Sequence, residues 1–177
     1  MTWRPVAEWI GFQVVWLACA LGAARGLDAP GVAAAAVFVL AVLWGRGWAR
    51  AEIGAIAASG AFGAIAESLM ATSGLVAYAA SPPGALLAPL WMIALWLAFG
   101  GTLPALDSLV GSPLSLRAVL LGGLGGPLAY LAGARLGALE FPGAVAPALL
   151  ALALVWAVAL PLLLHVRRRL QGAQTVP

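Results

Sequence analysis

Six long apolar runs, each closed by a cluster of turn-forming residues, constrain this chain more than any other feature. They cover roughly 6–24, 31–49, 53–79, 85–107, 116–135 and 143–164. At 1.5 Å of rise per residue each is long enough to cross a hydrocarbon core of about 30 Å. The breaks are Arg25-Gly-Leu-Asp-Ala-Pro30, Arg50-Ala-Glu52, Ser81-Pro-Pro-Gly84, Gly111-Ser-Pro113 and Glu140-Phe-Pro-Gly143, the Gly, Pro, Asp and Ser chemistry of turns. Lipid cannot satisfy open backbone groups, and the runs lack the alternation of barrel strands, so helix is the only spanning form open to them. The expected fold is an all-α polytopic membrane protein, a bundle of about six transmembrane helices over 1–164 followed by a basic cytoplasmic tail over 165–177.

Composition agrees. Hydrophobic residues make up 64% of the chain and charged residues 8%, against about 25% charged in a soluble domain, which could not clothe its surface with so few. With 177 residues and about 20 needed per crossing, no room is left for a separate soluble domain. The cations are nine arginines. With the amino terminus inside, Arg4, Arg46, Arg50, Arg117, Arg167, Arg168 and Arg169 fall on the cytoplasmic side and only Arg25 and Arg135 outside. That bias predicts both termini in the cytoplasm of a bacterium, the chain lying in the inner membrane. The net charge of +3 sits mostly in one tail, not along a face interleaved with aromatic readers, so nucleic acid is excluded as a partner.

The first run also imitates a signal peptide, with Arg4 ahead of it and Ala18-Cys-Ala20 as a small-residue site. Trp16 stands where a lipoprotein signal prefers leucine, and the run is expected to be retained. Cys19 is the sole cysteine and His165 the sole histidine, so neither an intramolecular disulfide nor a metal site is expected, and no cofactor. Cys19 reads as a packing residue. The stretch from His165 to Arg169 reads as an anchor on anionic headgroups.

Candidate functional residues are few. Glu67 falls deep inside the third run, near mid-bilayer on these boundaries, with Gly60, Gly63, Ala64, Ala71 and Gly74 at helical spacing around it. Such a face of small side chains admits a neighbouring helix, so the carboxyl should point into the bundle. It serves either as a hydrogen-bonding glue, to a hydroxyl, a backbone carbonyl or an amide such as Gln13, or as a carrier of protons or substrate. Asp107 reaches the inner boundary, about 15 Å away in depth by helical rise, too far for an acid/base dyad. It either ends the fourth helix or meets Arg46, Arg50 or Arg117. The segment Leu121-Gly-Gly-Leu-Gly-Gly-Pro127 with Tyr130, Gly133, Arg135 and Gly137 reads as a tightly packed fifth helix, bent or locally opened at Gly126 and Pro127. Of eight tryptophans, Trp3, Trp9, Trp44 and Trp48 fall near the inner boundary, whereas Trp16, Trp91, Trp96 and Trp156 lie deeper and either pack the core or line a pocket for a lipid or isoprenoid chain.

Ala88-Pro-Leu-Trp91 with Leu95-Trp96, then Gly125-Gly-Pro-Leu-Ala-Tyr130 with Gly133, Arg135, Leu136 and Gly137, resemble the motifs of a bacterial family of small inner-membrane proteins, domain of unknown function 2878. Phe12-Gln-Val-Val-Trp16 and Glu67-Ser68 match it too, so the likeness covers nearly the whole chain. The family has no established activity to carry over. Its members resemble components of operons with fatty-acid-modifying enzymes, which implies a place in lipid metabolism. The candidates that result are Glu67, Ser68, Asp107, Tyr130, Trp91, Trp96 and Arg135. The function expected is an accessory or scaffold protein for membrane lipid, partnered by lipid and by either a lipid-modifying enzyme or a second copy of itself. The alternative is a small proton-coupled transporter working through Glu67. An enzyme would need Glu67, Asp107 or Tyr130 to converge with another polar group at one depth, which their spacing disfavours.

Overall fold

A computed structural model describes residues 3–80 and 87–173. Its helices are α1 (Arg4–Ala23), α2 (Ala29–Gly45), α3 (Arg50–Thr72), α4 (Leu90–Val110), α5 (Leu116–Arg135) and α6 (Val145–Gly172). Two short strands, β1 (Ala77–Tyr78) and β2 (Leu139–Glu140), pair antiparallel with Tyr78 opposite Leu139. Five helices are long and apolar enough to cross a membrane. The 17-residue α2 is the shortest: it rises about 26 Å, the low end of the length that spans a core of about 30 Å.

The third run corrects more. Its helix stops at Thr72 instead of running to 79. Thr72 Oγ1 turns back to the Ser68 carbonyl and Ser73 Oγ to that of Met70. Gly74 then takes φ +69°, and the amides of Gly74 and Val76 close onto Ala71 and Met70, a glycine-terminated helix end. Residues 75–79, expected to be the end of a span, instead form β1 and its approaches. The break expected at 81–84 lies outside the described residues. The fourth helix starts at Leu90, and the amide of its second residue, Trp91, donates to Asp28 Oδ1 of the α1–α2 loop at 3.4 Å, an acid at a helix N-terminus.

Neighbouring helices alternate in direction, because hydrogen bonds tie the start of α1 to the end of α2 and the start of α3 to the end of α6. One end of the bundle is therefore rich in arginine. The other is roofed by β1 and β2, which join the loop after α3 to the loop after α5. Helix α4 is central and packs on α1, α2 and α3, whereas α5 packs chiefly on α6. Close α5–α6 contact explains the glycines: a Cβ on Gly122 would lie 2.2 Å from the Trp156 carbonyl oxygen, and one on Gly126 would lie 2.2 Å from Trp156 Cγ. Helix α5 runs unbroken through Pro127, so the expected opening at Gly126 and Pro127 is replaced by continuous helix with its glycines spent on packing.

The tail is not a separate piece. Helix α6 continues to Gly172, and Arg167 is buried, its Nη2 donating to Glu52 Oε1 at 2.7 Å. Arg168 Nε donates to Asp107 Oδ1 at 2.9 Å. Two of the tail arginines thus meet carboxylates of α3 and α4 instead of headgroups, since acids half-withdrawn from water need a partner of opposite charge.

Candidate functional site

Glu67 is fully enclosed, with 0% of its surface exposed. Three donors reach its carboxyl. The Tyr78 hydroxyl donates to Oε2, the Tyr130 hydroxyl to Oε1, and Trp96 Nε1 to Oε1 at 2.8 Å. Each donor comes from a different element. Gly63 makes the approach of Trp96 possible, because a Cβ there would lie 2.1 Å from the indole Cγ. Gly60 does the same for Leu97. The small face expected around Glu67 is thus the seat of α4.

The depth of Glu67 differs from expectation. With α3 ending at Thr72, Glu67 stands five residues from the helix end, about 8 Å by helical rise, near the strand-roofed end and not at mid-helix. That is why Tyr78 can drop onto it from β1, and why Tyr130, five residues before the end of α5, meets it at the same level. Glu67 and Tyr130 thus converge, although their spacing disfavoured the meeting of such groups at one depth. Gln13 is not a partner; it lines a cavity instead.

That cavity lies between α1 and α5, with walls from α4 and α6, and measures about 570 Å³. Along α1 it runs from Trp9 to Ala20, and along α5 from Leu121 to Gly133, a length of about 16–18 Å. Its lining is apolar and aromatic; Gln13 and Tyr130 are the polar side chains apart from the indoles. Trp96 and Trp156 stack in its wall with ring centroids 4.5 Å apart and 19° between planes, and Phe99 meets both edge-on. The buried Trp156 Nε1 stands beside the Tyr130 hydroxyl. Glu67 does not itself line the cavity. It holds the two side chains, Trp96 and Tyr130, that do.

The other candidates separate. Trp91 joins the roof of the cavity, donating from Nε1 to the Ala79 carbonyl at 3.0 Å and meeting the Tyr78 ring edge-on. Ser68 faces away, donating to the Ala64 carbonyl at 2.6 Å and accepting from the Ala88 amide at 3.0 Å, which braces the entry to α4. Asp107 sits at the opposite end with Arg167 and Arg168, not with Arg46, Arg50 or Arg117. Arg135 is exposed in the last turn of α5. Among the described residues no three of His, Cys, Asp and Glu cluster as metal ligands would.

Tyr78 is the partner that sequence reading passed over. The signal was there: the chain has two tyrosines, and both end on Glu67.

A family model described as a protein of unknown function (DUF2878) matches residues 5–162. The chain belongs to this family. The match takes in every residue of the Glu67 cluster and of the cavity wall, and stops short of Arg167 and Arg168. No curated protein and no solved structure matches the chain.

Proposed function

We propose that this protein is an accessory component of membrane-lipid metabolism in the bacterial inner membrane, which holds one hydrophobic chain of a lipid or isoprenoid in the cleft between α1 and α5. The observation that carries this reading is the cleft itself: elongated, about 570 Å³, and walled by indoles held in place from behind. Its volume falls in the range of ligand pockets, roughly 300–1,000 Å³, with few polar groups to fix orientation. Bundle glycines bring α5 and α6 together rather than leaving a ligand-gripping break, so the chain would slide in sideways from the bilayer.

Gly125 offers the test. It lines the cleft, and a Cβ there would meet nothing within 4 Å, so Gly125→Phe fills the space without disturbing the α5–α6 contact. Protein extracted in a mild detergent is expected to carry lipid detectable by mass spectrometry. The Gly125→Phe variant should fold and elute as the parent does, yet arrive empty. Equal lipid in both, or none in either, would refute the reading. The transporter alternative needs a wet path to Glu67, and the cleft is lined by its partners Trp96 and Tyr130 but not by the carboxyl itself. Proton uptake into proteoliposomes that Glu67→Gln abolishes would favour it instead.

A further inference from the structure

The arginine-rich end holds a second, charged hollow that the cleft does not use. Glu8, near the start of α1, is bound by two guanidinium groups. Arg46 Nη2 lies 2.7 and 2.6 Å from its two carboxylate oxygens, and Arg4 Nε lies 3.2 Å from Oε1. Two cations face one anion, so the cluster keeps one net positive charge. Among the described residues, the buried Arg46 Nε has no hydrogen-bond partner. Gly45 makes the arrangement possible, because a Cβ there would lie 2.9 Å from Arg4 Nη2. Beside the cluster is a cavity of about 440 Å³, bounded by Trp3, Arg4, Glu8 and Arg46 and, from α4, by Pro104 and Ser108.

The level of this hollow indicates what reaches it. Trp3, Trp44 and Trp48 are exposed at the same end of the bundle, and indoles in that position sit at the headgroup layer of a bilayer. A guanidinium with unused donors, beside a second one, at headgroup level is a phosphate receptor: the planar fork matches a phosphoryl group and keeps its charge at every relevant pH. We propose that the Arg4–Arg46 pair binds the phosphate of an anionic phospholipid headgroup, with Glu8 as the internal counter-charge that the phosphate partly displaces. This site is independent of the cleft and does not need a chain bound there.

The charge arithmetic supplies a test that a merely structural ion pair would not pass. Full-length protein in neutral detergent is titrated with short-chain phosphatidylglycerol, short-chain phosphatidylcholine and inorganic phosphate, with binding read by native mass spectrometry. Phosphatidylglycerol should bind, and Arg46→Gln should weaken it by about fivefold or more. Glu8→Gln removes the competing carboxylate and raises the local charge from one to two, so it should tighten binding even while it costs stability. The double variant Glu8→Gln with Arg46→Gln leaves no lone buried charge and a local charge of one, against zero in Arg46→Gln; it should fold and bind more tightly than Arg46→Gln alone. Parallel weakening in Glu8→Gln and Arg46→Gln would make the cluster structural and overturn the proposal. Equal binding of phosphatidylcholine, or of inorganic phosphate, would overturn the assignment to an anionic lipid.

Discussion

Replacing Glu67 separates what its shape contributes from what its charge contributes. Glutamine keeps the size and one acceptor oxygen, the Oε1 that takes both Trp96 and Tyr130. Its NH₂ group stands where Oε2 accepted from Tyr78, and a phenol hydroxyl can rotate from donor to acceptor. All three hydrogen bonds survive in reversed or neutral form, so Glu67→Gln should cost no more than about 1 kcal/mol. Leucine keeps none of them. Each buried donor left unpaired costs about 1–3 kcal/mol. The hydroxyls of Tyr78 and Tyr130 lie close enough to bond each other, which satisfies one of the three and leaves a loss of about 2–6 kcal/mol. Unfolding in mixed micelles titrated with a denaturing detergent would read both values. Equal losses for Gln and Leu, or a neutral Leu, would refute the account of Glu67 as the hydrogen-bonded peg of the bundle.

Glycine substitutions along α5 should rank by what lies opposite. Gly122→Ala and Gly126→Ala meet Trp156 at 2.2 Å and should each destabilise by about 1–3 kcal/mol, whereas Gly125→Ala points into open space and should gain up to about 1 kcal/mol of helix propensity; unfolding curves of the three variants decide it. Arg167→Gln strands the buried Glu52 and should cost about 3–5 kcal/mol, against at most about 1 kcal/mol for the more exposed Arg168→Gln, by the same assay. A cytoplasm-active reporter fused after Pro177 should be active and one placed within residues 81–84 silent; the reverse pattern would invert the orientation.

Helix number was legible in the sequence because it follows from composition alone: apolar runs of span length with turn chemistry between them. Helix ends were less so. The stretch 73–79 is apolar enough to continue α3, and only the backward hydrogen bonds of Thr72 and Ser73 and the positive φ of Gly74 end it early. Glu67 was legible as an inward acid because its glycine neighbours mark a contact face. Its partners were not, because Tyr130 is 63 residues away, and no local pattern states which loop folds back over which helix. The ion pairs of Asp107 and Glu52 were misread or missed for a related reason. An arginine cluster at the end of a chain looks like a solvated anchor until the opposing carboxylates are placed beside it.

The long reach of these pairings bears on how the bundle is made. A membrane chain enters the bilayer in the order of its synthesis, and α3 arrives carrying Glu52 and Glu67 before their partners exist. Tyr130 follows Glu67 by 63 residues, and Arg167 follows Glu52 by 115. At about 5–20 residues per second the second interval lasts roughly 6–23 s. Throughout it Glu52 waits without its arginine, whereas Glu67 gains Tyr78 after 11 residues, Trp96 after 29 and Tyr130 after 63. Completion of this structure is therefore a terminal event: the last helix to be translated neutralises the third, and a chain truncated before Arg167 would keep its apolar runs but lose the clasp that joins its two halves.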